Sequence, residues 1–401
     1  MITYTEKNKG TAKLMVVGVG GGGNNAVNQM IKKGVDTVTF VAINTDNQAL
    51  SQSRTPIENR IQIGKNKTEG LGAGSDPEIG KIAAEESIEE IKEALEGMHL
   101  VFIVCGMGGG TGTGASPVIA KVAKDLGALV VGVVTTPFDF EGAKRQNNAK
   151  KGIENLSKYV DSMIIVPNNK LITEVAKGKN LTIMEAFEIA DDVLRQGITG
   201  LSDLIVKPGL INLDFADIKA VLKNQGLAHM GIGSAKGDNK IYDAVYQAVR
   251  SPLLDTHIDG AKGLILNVCG GMDLSLIEVS EATNIVKDVL DKDANIIFGA
   301  NIDERMSDEV HVTLIATGFK NNPEKAVSQE VLKPIQPVSK EPVIEKIPTA
   351  EVEIVEEETV KEDEHVVEVP VVEEKVVEEK PKKEEKSMPD FLKMIFGKKK
   401  K

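Results

Sequence analysis

Seven consecutive residues, Gly108-Gly109-Gly110-Thr111-Gly112-Thr113-Gly114, carry the strongest chemical signal in the sequence. The glycines leave backbone N–H groups unobstructed, and the two threonines add hydroxyl donors. An apolar stretch over 100–105 precedes the run and reads as a buried parallel strand. After it, Val118, Ile119, Val122, Ala123 and Leu126 fall at helical spacing over 115–126, and Gly127 supplies the stop. A strand, a glycine loop and a helix N-terminus make an anion site, because unpaired N–H groups and the helix dipole both favour negative charge. No lysine follows, so the loop is not of the GxxxxGK[ST] type, and a phosphate here would be held by backbone, hydroxyls and a metal ion. A flexible linker is the other reading of a glycine run; the flanking strand and helix argue against it.

Two further constellations could do chemistry. In Asn212-Leu213-Asp214-Phe215-Ala216-Asp217, two carboxylates stand three residues apart at the start of a helix running to Leu222. Local rules explain that pair equally well as an N-cap followed by a dipole-favoured acid. Glu141 and Arg145 are spaced i,i+4 in a polar helix over 141–158, which by itself predicts a surface ion pair.

A second glycine loop, Gly18-Val19-Gly20-Gly21-Gly22-Gly23, joins a strand over 13–19 to a helix over 24–33 and matches GxGxxG. Asp46 follows the next strand, over 37–43, as in a dinucleotide-binding fold. An oxidoreductase built on Gly18–Gly23 and Asp46 is therefore an alternative, but it leaves Gly108–Gly114 and Asn212–Asp217 without a role. A third cluster, Gly70-Leu71-Gly72-Ala73-Gly74, precedes Ser75-Asp76-Pro77, a cap with Pro at the first helical position. That helix continues through Ile79, Ile82, Ala83, Ile88, Ile91 and Leu95.

These loops need a frame, and the pattern predicts an α/β fold. Strands over 128–134 and 162–166 complete a parallel sheet, the second ending in Pro167-Asn168-Asn169. Loops at the C-terminal ends of such strands form the ligand edge. One long helix over 182–205 carries Ile183, Phe187, Ala190, Leu194, Ile198, Leu201 and Ile205 as a buried stripe. On spacing alone Phe187 is core, with Asp191 one turn further on. Gly197 and Gly200 cost that helix about 1 kcal/mol each relative to Ala, so close packing is expected to compensate. A smaller α/β domain follows: strand 228–234, helix 240–254, strand 262–269, helix 274–290, and strands 295–302 and 310–317.

The 401 residues carry a net charge of −12, unevenly spread. Residues 321–386 hold 19 acidic and 10 basic side chains with seven prolines and no aromatic, the composition of a disordered linker. In 387–401, Met388, Phe391, Leu392, Ile395 and Phe396 share one helical face ahead of four terminal lysines, a partner-binding peptide on a tether. The remaining body, net −7, argues against a broad nucleic-acid surface. Cys105 and Cys269 sit in apolar runs and are expected as packed thiols; the five histidines lack metal-ligand spacing. A polar N-terminus and no membrane-length apolar run point to a cytoplasmic protein.

The motifs GVGGGGNNAV (18–27), NTD (44–46), GLGAG (70–74), GMGGGTGTGA (106–115), TTPFDFEG (135–142), LRQG (194–197) and NLDFAD (212–217) resemble, in order, those of the tubulin/FtsZ superfamily and its bacterial cell-division members. The likeness covers 13–319. It implies a Rossmann-like GTP-binding domain (1–181), a central helix (182–206), a smaller α/β polymerisation domain (207–320), a disordered linker (321–386) and a tail peptide (387–401). The activity implied is GTP hydrolysis to GDP and phosphate, with Mg²⁺, and K⁺ as a further candidate ion. Gly21, Gly22, Gly23, Asn24 and Asn25 would form the first nucleotide loop, and Gly108, Gly109, Gly110, Thr111, Gly112 and Thr113 would wrap the β- and γ-phosphates. Glu141 and Arg145 would meet ribose and phosphate, Asn168 and Asp191 would read guanine, and Phe187 would stack on the base. Asp214 and Asp217, supported by Asn212, would act on the nucleotide of the next subunit in a head-to-tail protofilament at the mid-cell division ring. The tail would bind division proteins and membrane anchors, touching the membrane only indirectly. A filament scaffold that binds nucleotide without turnover is the remaining alternative, and both aspartates argue against it.

Overall fold

The computed structural model describes residues 12–171 and 181–319, apart from 208, 210, 212, 252–257, 259, 288 and the side chains of 276, 281 and 282. The expected linker, the tail peptide and Asn212 lie outside the described residues.

β1 (Leu14–Val19) runs straight into α1 (Gly20–Lys32), followed by β2 (Thr39–Asn44), α2 (Asn47–Ser51), β3 (Arg60–Gln62) and α3 (Lys65–Thr68). Next come α4 (Pro77–Glu86), α5 (Ile88–Leu95), β4 (Leu100–Gly106), α6 (Thr111–Asp125), β5 (Leu129–Thr136), α7 (Ala143–Leu156), β6 (Ser162–Pro167) and α8 (Asn168–Lys170). The long α9 (Ile183–Val206) leads to α10 (Phe215–Leu222), β7 (Gly226–Lys236), α11 (Lys240–Val249) and β8 (Gly263–Gly270). α12 (Leu276–Lys287), β9 (Asn295–Ile302) and β10 (Glu309–Thr317) complete the described chain.

The strands form one sheet in the order β3-β2-β1-β4-β5-β6-β7-β10-β8-β9. It is parallel from β3 to β6 and doubly covered, so its strands are apolar on both faces. Alternate residues separate the faces: Val16, Phe102 and Val131 pack with α1 and α9, whereas Val17, Ile103 and Val130 pack with α4 to α7. β7 joins the two halves. Its Gly226–Ala228 segment pairs in parallel with Ser162–Ile164 of β6, and from His229 onward it pairs antiparallel with β10. β8 and β10 carry a separate apolar cluster with α11 and α12.

The glycines of α9 are placed as their cost suggested. A Cβ on Gly197 would come 2.0 Å from the Met230 sulfur, and one on Gly200 would come 2.7 Å from the Thr313 hydroxyl. Cys105 and Cys269 form no disulfide, as expected; Cys105 is packed in the core, whereas Cys269 is only half-buried.

Three expectations need correction. α1 begins at Gly20 rather than Asn24, and α6 at Thr111 rather than Ala115, so much of each glycine loop is a first helical turn. Low helix propensity is outweighed there by backbone contacts only glycine permits. The helix expected to run unbroken to Leu95 stops at Ser87, whose hydroxyl accepts from the Gly64 N–H at 3.2 Å; α5 restarts after it. The buried stripe of α9 does not reach its first turns, where Ile183 is 68 % and Phe187 41 % exposed.

Candidate functional site

β1 and β4 are neighbours, so the helices that follow them start side by side. Neither α1 nor α6 has a side-chain cap, which leaves their first N–H groups without partners from that source. The two turns also touch. A Cβ on Gly20, itself at φ 71, would lie 2.8 Å from the Gly112 nitrogen. Both N-termini open on a cavity of about 590 Å³ at the C-terminal ends of the strands. Gly21, Gly22, Asn25, Gly109, Gly110, Thr111 and Gly112 line it. Two helix N-termini without side-chain caps, opening on one cavity, suit an anion.

Other members of the expected loops lie behind this surface. The buried Thr113 hydroxyl accepts from the Gly108 N–H at 2.9 Å and so closes the glycine loop from beneath. The Thr111 and Thr45 hydroxyls pair at 2.7 Å. Asn24 is buried, its amide 3.2 Å from that of Asn44, and a Cβ on Gly23 would meet the Val104 carbonyl oxygen at 2.2 Å. Gly23, Asn24, Gly108 and Thr113 are thus placed to shape the cavity, without being among the residues that line it.

Glu141, Arg145, Asn168, Phe187 and Asp191 line the same cavity. Glu141 accepts from the Phe138 N–H at 3.0 Å and is ion-paired with Arg145. Phe187 meets the buried Phe138 ring edge-on at 5.1 Å and keeps its other side exposed. Asn168 is 4 % exposed and its side-chain oxygen has no partner, an acceptor lacking a donor at the cavity wall. Burial, and then the Glu188 carboxylate, push the Asp191 carboxyl up to about 7. An aromatic face, an unpaired acceptor and a half-buried carboxylate together suit a flat ring bearing hydrogen-bond donors.

The sequence reading passed over the loop Leu71-Gly72-Ala73-Gly74-Ser75 as a lining element. It hangs from the end of β2: Asp46 bridges Leu71, and the Gly72 N–H donates to the Thr45 carbonyl at 3.3 Å. Three glycines within five residues were the available signal, and Gly70, Gly72 and Gly74 all take positive φ. Asp46 also lines the cavity, but its carboxylate accepts from the Ala49 N–H at 3.1 Å as the cap of α2.

Asp214 and Asp217 are elsewhere. They flank the first turn of α10, after the whole of α9, whose 24 residues span roughly 36 Å. The Asp217 N–H donates to the Asp214 carboxylate at 2.8 Å, and neither residue lines the cavity.

Among the described residues no group of three or more His, Cys, Asp or Glu side chains is placed to hold a metal ion. The carboxylates at the cavity are Asp46, Glu141 and Asp191. Such a donor set fits a Mg²⁺ ion carried mainly by substrate phosphates and water.

Two family models match the chain. One describes the GTPase domain of the tubulin/FtsZ family and matches residues 13–176; the other describes the FtsZ family C-terminal domain and matches 226–320. FtsZ of M. jannaschii, solved as an empty dimer, is 47% identical at a TM-score of 0.73, over 78% of this chain and 89% of that one. CetZ1 of Haloferax volcanii, a GDP-bound monomer, shares the fold at 22% identity and a TM-score of 0.68, over 78% of this chain and 96% of that one. CetZ2 of the same organism, a GTPγS-bound protofilament, does so at 21% and 0.65, over 78% and 94%. The likeness is therefore not confined to bacterial proteins.

Proposed function

Because the chain belongs to the tubulin/FtsZ family of GTPases, we propose that it assembles head to tail and hydrolyses GTP between neighbouring subunits. The carrying observation is the junction of two uncapped helix N-termini on one cavity, with the paired aspartates beyond the far end of α9. M. jannaschii FtsZ as a dimer and CetZ2 as a protofilament support self-association.

In this reading the phosphates rest on the N–H groups of Gly21, Gly22 and Gly109–Gly112 and on the Thr111 hydroxyl. Mg²⁺, when bound, neutralises phosphate charge. Asp191, once ionised, accepts from guanine N1–H and N2–H, a donor pair that adenine lacks. Asn168 adds a second polar contact to the base, Phe187 covers its face, and Glu141 and Arg145 hold ribose and phosphate. Asp214 and Asp217 of the partner subunit orient a water in line with the γ-phosphorus, with Asn212 of the partner subunit in support. A P–O bond to that water forms as the bond to the β–γ bridging oxygen breaks, releasing GDP and phosphate. Positioning and charge stabilisation are the main requirements of phosphoryl transfer.

The same reading divides the chain into a GTP-binding domain to 181, a linking helix to 206, a polymerisation domain to 320, a linker to 386 and a terminal partner-binding peptide. It places the assembly in the division ring at mid-cell on the cytoplasmic side, tethered through 387–401 to division proteins and membrane anchors. No described helix is long and apolar enough to cross a membrane. Phosphate release measured against protein concentration tests the core of the proposal. Specific activity should climb steeply above a threshold concentration; a value constant at every concentration would remove hydrolysis between subunits.

A further inference from the structure

His99 stands immediately before β4, and the sheet holds it at three points. Its N–H donates to the Lys13 carbonyl at 2.9 Å, and its own carbonyl accepts from the Leu129 N–H at 2.9 Å. The ring is bonded as well, because Nδ1 accepts from the Lys13 N–H at 2.9 Å. With Nδ1 as acceptor, the neutral imidazole carries its proton on Nε2. A ring tied in this way to the backbone just ahead of β1 cannot turn freely, so its plane is fixed relative to the sheet.

That ring meets Phe215 edge-on, with centroids 6.1 Å apart and planes at 70°. Both values fall in the range of a T-shaped aromatic pair. Phe215 is the first residue of α10 and lies between Asp214 and Asp217. Asp214, Ala216 and Asp217 are exposed, whereas Phe215 is half-buried and packs on the core that α9 shares with the sheet. The rest of α10 is held independently, since Ile218, Val221 and Leu222 are buried. Where the Phe215 ring sits therefore sets how the first turn presents its two carboxylates. β4 thus serves both ends of the molecule. Past its C-terminal end, Gly109 to Gly112 line the cavity, and just ahead of its start, roughly 23 Å away, His99 meets the acidic turn.

We propose that His99 is a positioning residue for hydrolysis: its locked ring holds Phe215 and so aims Asp214 and Asp217 at the nucleotide of the next subunit. The inference rests on those aspartates acting between subunits. A side chain that only aims a reacting group costs little stability when removed, yet it changes the rate, because turnover depends on placement more steeply than folding does.

The test uses His99→Asn in the full chain, which offers a side-chain oxygen to the Lys13 N–H but has no ring. Turnover per assembled subunit should fall about fivefold, the size of effect an aromatic pair gives, with GTP affinity and melting temperature near wild type. In a Phe215→Leu background the same substitution should cost nothing further, because the contact it removes is already gone. Mixing His99→Asn with Gly110→Val should restore turnover, since the second variant supplies an unaltered acidic turn. Unchanged turnover in His99→Asn, a full additional loss in the double variant, or no gain on mixing would overturn the assignment. The Asp217→Ala and Gly110→Val mixture is run as the control. No gain there would remove hydrolysis between subunits, and this inference with it; a gain there beside an unaffected His99→Asn would remove the inference alone.

Discussion

The Asp217 N–H donates to the Asp214 carboxylate, so one of the paired acids is a structural cap and the other is not held by that bond. The two carboxylates are therefore unequal in what their loss should do. Asp214→Ala should lower stability by about 1 kcal/mol, whereas Asp214→Asn keeps a capping oxygen and should stay near wild type in a denaturant titration. Both should hydrolyse GTP poorly if the negative charge is needed. Normal turnover in Asp214→Asn would confine that residue to capping.

Asp217→Ala should bind GTP normally and hydrolyse it at a small fraction of the wild-type rate. Gly110→Val should fail at the opposite end, because its side chain would run into Ala73 and the Asp76 backbone. In a head-to-tail pair the first variant supplies an intact cavity and the second an intact acidic loop. Mixing them should give more phosphate release than the sum of the two alone. No gain on mixing, with both proteins folded and associating, would exclude a site shared between subunits.

The raised Asp191 carboxyl gives a pH dependence with a definite sign. An acid whose folded value lies above its unfolded one of 3.8 opposes the fold when ionised. Its contribution is favourable below 3.8 and is lost as pH rises toward about 7. Bound guanine reverses the preference, since its donors need the carboxylate. GDP affinity should therefore rise between about pH 5.5 and 7.5, with proton release on binding below about pH 7. Glu188→Gln removes the second cause of the shift and should move the midpoint to lower pH in a calorimetric titration. A flat profile for the wild type would remove Asp191 from the base contact.

Thr113→Val keeps shape and deletes the acceptor of the Gly108 N–H. A buried donor left without a partner costs about 1–3 kcal/mol, so the variant should melt earlier and bind both nucleotides more weakly. Thr113→Ser keeps the oxygen and should recover most of the loss. Equal behaviour of the two variants would show that the methyl group matters and the hydroxyl does not.

The unbroken apolar runs of β1, β4 and β5 were legible because a parallel sheet covered on both faces imposes them. The start of α1 was not. Glycine reads as loop until one knows that Gly20 must pass Gly112 and that Gly23 must pass Val104, both long-range facts. Phe187 illustrates the limit of periodicity, since the spacing is helical but the first turns of α9 run past the core that would cover it. The 71–75 loop announced a turn through its glycines, whereas its place on the cavity depends on bridging to Asp46, distant in sequence. Asp214 and Asp217 were readable as a helix start, and only family likeness suggested more.

β7 is joined to β6 by three residue pairs, whereas eight pairs join it to β10, and eight more join β10 to β8. The sheet is thus a fabric with a narrow internal seam, matched in width only by the edge pairing of β2 with β3. Slow-exchanging amide protons should be dense on either side of it and sparse along it. Opening those three pairs would leave the cluster around α11 and α12 whole, but would part the one around α9, which Ile265, Ile297 and Ile315 share with Ile164 and Ala228. What the ladder lacks at Gly226–Ala228 is supplied by that shared core and by the Asp161 carbonyl, which accepts from the Gln225 and Gly226 N–H groups at 2.8 and 3.0 Å.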